Sequence, residues 1–89
     1  MPTIGWLLMS ITALNKESGD SVRTSNTLGS LIELSTDNID RATTIENFLS
    51  TYKNRPDLSE GNREKAEREL AEVRRLKGIM EEAAKAKQE

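Results

Sequence analysis

The sequence predicts an all-α protein made of an antiparallel helical hairpin, about residues 27–53 and 58–87, preceded by a short apolar N-terminal helix. Three observations support this prediction. Apolar residues recur every three or four positions in each segment, which is the spacing of one helix face. Serine and threonine number sixteen up to Ser59 and are absent after it, so the composition changes where the two arms meet. Pro56 lies at that change and marks a turn.

The first predicted helix covers residues 1–14 and carries apolar side chains around most of its circumference. The residues that share one face at helical spacing are Ile4, Leu7, Leu8, Ile11 and Leu14, with Trp6, Met9 and Ala13 elsewhere. Residues 15–26 are polar, contain Gly19 and show no periodicity. We therefore expect an apolar docking helix over 1–14 and a polar linker over 15–26, followed by the hairpin over 27–89.

The first arm of the hairpin has a stripe of apolar residues, but its start has two interpretations. Leu28 and Ile32 continue the helical spacing backwards, whereas the polar run 35–38 resembles a helix cap. A helix that begins at Asp37 would cover only about 25 Å of a second arm that is roughly 45 Å long. This length comparison favours a start near Thr27. The stripe itself consists of Ile39, Ala42, Ile45, Leu49 and Tyr52.

The second arm is predicted to start just after the proline turn and to continue almost to the end of the chain. Asp57 and Glu60 are placed to form a capping box at its start. From residue 60 onwards the segment carries sixteen charges, eight of each sign, so most of its surface is solvated. A single apolar seam remains for coiled-coil-like packing. It consists of Ala66, Leu70, Val73, Leu76, Met80 and Ala83 or Ala84, and Ile79 widens it.

The composition restricts the possible functions. Cysteine and histidine are both absent from the 89 residues, which removes disulfides, thiolate metal sites and the commonest general base. A net charge of -2 creates no field that attracts nucleic acid or an anionic membrane. The apolar stretch 4–14 is shorter than the ~20 residues of a membrane span, and no Lys or Arg precedes it. We expect cytoplasmic synthesis without a signal peptide, and the final location stays open.

The candidate catalytic and ligand-binding residues have simple alternatives. The acidic residues of the second arm alternate with Arg63, Lys65 and Arg68, which is typical of a solvated helix face. Arg74, Arg75 and Lys77 form a basic cluster, but nearby glutamates oppose binding to phosphates. No phosphate loop, nucleophile motif or metal-ligand spacing occurs. The sequence therefore predicts no enzymatic activity, no cofactor and no metal.

The apolar residues instead predict a protein partner. A hairpin touches along one line only, so flanking apolar side chains stay partly exposed unless another chain covers them. For the N-terminal helix, packing on its own hairpin, contact with another chain and insertion into a membrane surface all remain open, although the absence of Lys and Arg disfavours the last. The expected partner-binding residues of an oligomer are Ile4, Trp6, Leu7, Leu8, Ile11, Leu14, Leu31, Leu34, Phe48 and Ile79.

The expected function is that of a structural or adaptor subunit in a protein assembly. An apolar N-terminus, a polar linker and a helical hairpin with a proline turn resemble the plan of small subunits of secretion needles and virions. The charged end at Lys85, Lys87 and Glu89 departs from the apolar tails of needle subunits, and no family motif is present. The alternative is a small dimeric regulator that binds nucleic acid or a regulatory protein.

Overall fold

The fold is described by a computed structural model that covers residues 4–35 and 38–88, with side chains over 5–33 and 38–86. Over these residues the chain is all-α, which confirms the predicted fold class. The four helices are α1 (Ile4–Lys16), α2 (Val22–Ser35), α3 (Ile39–Tyr52) and α4 (Glu60–Gln88).

The predicted hairpin is formed by α3 and α4, which run antiparallel from the turn at residues 53–59. Near the turn, Arg63 Nη1 donates a hydrogen bond to the Lys53 carbonyl at 2.8 Å. Farther from it, Glu46 accepts hydrogen bonds from Arg74 at 3.0 Å and from Lys77 at 2.9 Å. At 1.5 Å per residue, the 29 residues of α4 span about 43 Å, close to the 46 Å length of the molecule.

Helices α2 and α3 are the central elements, because each of them packs against the other three helices. Helix α2 runs parallel to the first half of α4, with Lys65 Nζ donating to Ser25 Oγ at 3.2 Å. Helix α1 folds back over α2 and α3, and the described part of the chain has no packing between α1 and α4. The N-terminal helix therefore belongs to the same bundle as the hairpin.

The helix bounds differ from the prediction in the first arm and in the linker. The expected continuous helix from about 27 to 53 is divided into α2 and α3, because Asn38 has an extended backbone and its side chain accepts a hydrogen bond from the Arg41 amide at 2.8 Å. Helix α2 begins at Val22, inside the expected linker. Helix α2 lies beside α4 and packs along part of its length. The comparison of helix lengths had predicted that a longer α3 would cover this part of α4.

The core runs through all four helices. It is made of leucines and smaller apolar residues with one tyrosine, and its members are Leu7, Leu14, Leu28, Leu31, Ala42, Ile45, Leu49, Tyr52, Leu58, Ala66, Leu70 and Val73. Ile11, Ile32, Phe48 and Met80 pack against its edge. Most positions of the predicted stripes of α3 and α4 are thus confirmed as buried.

The two turns at one end of the bundle are bound to each other, and we call this contact the turn junction (residues 18–21 with 55–62). The Gly19 carbonyl accepts hydrogen bonds from the Ser59 amide at 3.1 Å and from Asn62 Nδ2 at 2.9 Å. The Gly19 amide donates to Asp57 Oδ2 at 3.1 Å. Asp57 is therefore used in the junction, and the Ser59 hydroxyl caps α4 by accepting from the Asn62 amide at 3.2 Å.

Candidate partner-binding surface

Helix α1 is attached to its own bundle through one face. Leu7 and Leu14 are fully buried and Ile11 packs against the core edge. These three residues lie at positions i, i+4 and i+7, which share one side of a helix. Leu31, another expected partner-binding residue, is fully buried on α2. The expected contacts of Leu7, Leu14 and Leu31 are thus made within this chain.

The opposite side of α1 is apolar and exposed to solvent. Trp6 is 65% exposed, Leu8 55% and Met9 72%. Large apolar side chains exposed together are uncommon on a small protein and are typical of interaction sites. We define the outer face of α1 as Trp6, Leu8, Met9, Thr12 and Ala13. Leu8, which the sequence placed with Leu7 on one stripe, belongs to this face.

The outer face contains a shallow hollow of about 370 Å³, lined by Leu8, Met9, Thr12 and Ala13. The Thr12 hydroxyl donates to the Leu8 carbonyl at 2.8 Å. Because that hydroxyl is already satisfied within the helix, it leaves the hollow with little polar character. This part of the α1 surface is therefore open and almost entirely apolar.

Charge is absent from this part of the protein. The sequence has no Asp, Glu, Lys or Arg before Lys16, whereas charged residues make up 31% of the whole chain. The core of protein interfaces is likewise depleted of charge and enriched in Trp and Met. The outer face of α1 thus has the composition of an interface core while it is exposed in this chain.

Arg55 fixes the end of α1 and so orients the outer face. Its guanidinium donates to the Leu14 and Glu17 carbonyls, both at 2.7 Å, which satisfies carbonyls that a helix end leaves free. The same group pairs with Asp57 at 2.6 Å and lies 5.5 Å from the centre of the Tyr52 ring. Burial acts to raise the pKa of Asp57, but hydrogen bonds from Gly19 and Arg55 lower it overall.

Comparison with protein-family models, curated proteins and solved structures found no match. The candidate surface therefore rests on the geometry and chemistry of this chain.

The remaining expected partner-binding residues lie away from the outer face of α1. Phe48 stacks on Tyr52 with the ring centres 5.1 Å apart and packs against the core edge. Ile79 is 54% exposed on α4, a helix that does not pack on α1 in the described residues. The side chains of Ile4 and Leu34 lie outside the described residues. The structure thus does not place all the predicted residues on one surface.

The basic cluster of α4 is paired with carboxylates. Arg74 and Lys77 both bind Glu46 on α3, and Arg75 binds Glu72 one turn earlier. The hydrogen bond from Lys77 lowers the pKa of Glu46, with Arg74 acting in the same direction against burial. Cations held by carboxylates are less available to nucleic-acid phosphates.

An open groove between α2 and α4 contains the partly buried carboxyl of Glu69. The groove has a volume of about 780 Å³ and is lined by residues that include Ile32, Lys65 and Glu69. Glu69 Oε2 is buried without a hydrogen-bond partner, and burial raises the pKa of this carboxyl. Glu72 lines the same groove and also acts to raise this pKa, whereas Lys65 and Arg68 act to lower it.

Among residues 4–35 and 38–88, no group of three carboxylates is close enough to bind a metal ion. Over the same residues, no helix has the length and hydrophobicity to span a bilayer.

The contacts that sequence reasoning missed are in the turn junction. Gly19, Arg55 and Asn62 bind backbone groups about forty positions away in the chain, and Arg63, just beyond the junction, binds carbonyls of the preceding turn. Each of these residues occurs in a polar stretch whose local pattern indicates only a turn or an exposed helix. Their partners are backbone carbonyls and amides, which are present at nearly every position and therefore leave no signal in the sequence.

Proposed function

We propose that this chain is a non-enzymatic structural or adaptor subunit of a protein assembly, such as a secretion apparatus or a virion, that binds other chains by helix packing. The outer face of α1 is its proposed contact surface. The observation that carries this proposal is the exposure of Trp6, Leu8 and Met9 on a helix whose opposite side already packs on the core.

The energetics of exposure support a binding role. Burial of a large apolar side chain is worth ~1.5–3 kcal/mol relative to exposure. The fold obtains this stabilisation from Leu7 and Leu14 but little from Trp6 and Met9. A partner that covers the outer face would recover it. Tryptophan is also among the residues whose truncation most often weakens an interface.

The competing functions have less support from the contacts. A dimeric regulator of nucleic acid would need free cations, and Arg74, Arg75 and Lys77 are paired with carboxylates. Insertion of α1 into an anionic membrane surface is disfavoured because Lys16 is the only charged residue of the helix. Helix packing against a protein requires neither cations nor a catalytic group.

Photocrosslinking in the native host tests this proposal. A benzophenone amino acid placed at position 9 should form adducts with protein, because Met9 is 72% exposed on the proposed surface. The matched control carries the same group at position 67, which is exposed on the charged side of α4. Equal labelling from both positions, or adducts with lipid alone from position 9, would count against a protein-binding role for α1.

A further inference from the structure

We propose that the outer face of α1 binds a second copy of this chain, with the two α1 helices antiparallel about a two-fold axis near Met9. This inference rests on the proposed function, because it names the partner of the same surface. It follows from the charge, the shape and the area of the outer face.

The absence of charge on the outer face of α1 favours a like surface as the partner. Any side chain that faces Trp6, Leu8 or Met9 loses contact with water, and no charged residue before Lys16 can compensate a buried charge. The partner surface must therefore also be uncharged. The chain itself offers such a surface in α1, and two copies of it meet without like-charge repulsion.

The spacing of Trp6, Met9 and Ala13 along α1 suits an antiparallel pair of these helices. Trp6 and Ala13 are two turns apart and lie on nearly the same line along the helix, with Met9 between them. In an antiparallel pair centred near Met9, Trp6 of each copy lies over Ala13 of the other. The indole then enters the hollow lined by Leu8, Met9, Thr12 and Ala13. The large Trp6 of each copy thus packs against the small Ala13 of the other, and the two-fold axis repeats this contact.

The exposed apolar area of the outer face limits the strength of the dimer. The exposed parts of Trp6, Leu8 and Met9 form an apolar patch of roughly 400 Å² on each copy. Two such patches bury about 800 Å², which is below the ~1,200 Å² of a stable specific interface and in the range of weak, transient contacts. We expect a weak dimer with a Kd on the order of 100 µM.

Tryptophan fluorescence and sedimentation velocity test the dimer on the full chain. Trp6 is the single tryptophan, so its emission should shift to the blue as the concentration rises from roughly 10 µM to 1 mM. Sedimentation should show a monomer–dimer equilibrium over the same range. Trp6→Ala should weaken the association at least ~10-fold, whereas Val22→Glu, a change at an apolar residue 76% exposed on α2, should leave it unchanged.

A charge-exchange experiment tests the two-fold arrangement. Met9→Lys and Met9→Glu should each remain monomeric, because the axis brings like charges together. An equimolar mixture should associate again. If neither variant loses association, or if the mixture stays monomeric while the wild type dimerises, the arrangement is wrong.

The remaining outcomes separate this inference from the proposed function. A wild-type monomer at all concentrations, with position 9 crosslinked to a different protein, would overturn the dimer and leave the proposed function in place. A monomer whose Trp6 emission shifts only with vesicles of phosphatidylcholine and phosphatidylglycerol, with no protein adducts, would overturn both. Adducts between two copies of this chain at position 9 would support both.

Discussion

Replacement of Gly19 by alanine tests whether the two turns are packed as closely as the structure indicates. A Cβ at this position would lie 2.6 Å from the Asp57 carbonyl oxygen and 2.8 Å from Leu58 Cα. Both atoms belong to the backbone of the opposite turn, so no side-chain rotation relieves the contact. No glycine of the described residues has a positive φ. Glycine is therefore needed at position 19 because the two turns approach closely, not because of its backbone conformation.

The expected loss of stability follows from the contacts at the turn junction. Overpacking in a well-packed site costs about 1–3 kcal/mol. Separation of the turns would also weaken the hydrogen bonds between Gly19 and Asp57, Ser59 and Asn62, each worth about 1 kcal/mol. We expect Gly19→Ala to lower the free energy of unfolding by about 2–4 kcal/mol, a large part of the total for a domain of this size.

Urea denaturation followed by far-ultraviolet circular dichroism measures this loss, at protein concentrations low enough to keep the chain monomeric. Gly78→Ala is the matched control, because a Cβ there meets nothing within 4 Å and the residue lies inside α4. This control should gain about 0.5–1 kcal/mol from helix propensity. A Gly19→Ala protein that unfolds at or above the wild-type midpoint would refute the close packing of the turns.

Three further predictions test the placement of α1 and the buried carboxyl. Leu7→Ala should lower the free energy of unfolding by about 2–5 kcal/mol, because Leu7 is fully buried. Leu8→Ala should lower it by less than about 1 kcal/mol, because Leu8 is 55% exposed. Equal urea midpoints for the two variants would contradict the assignment of the two faces. Arg55→Met keeps the apolar stem but removes the hydrogen-bond donors to the carbonyls at the end of α1. Hydrogen exchange of the α1 amides should therefore be faster in this variant. Unchanged protection of these amides would argue against the capping role of Arg55. For Glu69→Gln, the sign follows from the raised pKa of Glu69. The folded state favours the protonated acid, so this stabilisation is full below the ordinary pKa and is lost as the pH rises through the folded value. The stability of wild type minus that of the Gln variant should therefore fall from about pH 4 to pH 7, and a constant difference in urea titrations would exclude this effect.

The local patterns of the sequence were sufficient for α1, for α4 and for the turn before α4, but the favoured start near Thr27 missed the break before α3. The apolar residues of these helices recur at helical spacing, and Pro56 disfavours a continuous helix. The start of α2 could not be predicted in this way. Residues 22–26 read V-R-T-S-N, a run with weak helix propensity. They are helical because Ser21 caps the Thr24 amide at 3.0 Å and α4 supplies the packing surface.

The outer face of α1 was predicted only in part. The sequence indicated that apolar residues surround this helix, but it could not say which of them would face the bundle. Leu7 and Leu8 are adjacent leucines, and one is fully buried while the other is 55% exposed. The orientation depends on where the Arg55 guanidinium holds the end of α1 and on how α2 and α3 form the surface beneath it.

The sequence by itself determined the helical fold class, the hairpin with its proline turn and the surplus of apolar residues at the N-terminus, because these properties follow from spacing and composition along one segment. The tertiary structure decided the division of the first arm, the turn junction and the choice of exposed residues on α1. The turn junction and the orientation of α1 depend on contacts between residues about forty positions apart, such as Arg55 with Leu14 and Asn62 with Gly19. Backbone partners at such distances impose no periodicity, so only the assembled bundle reveals them.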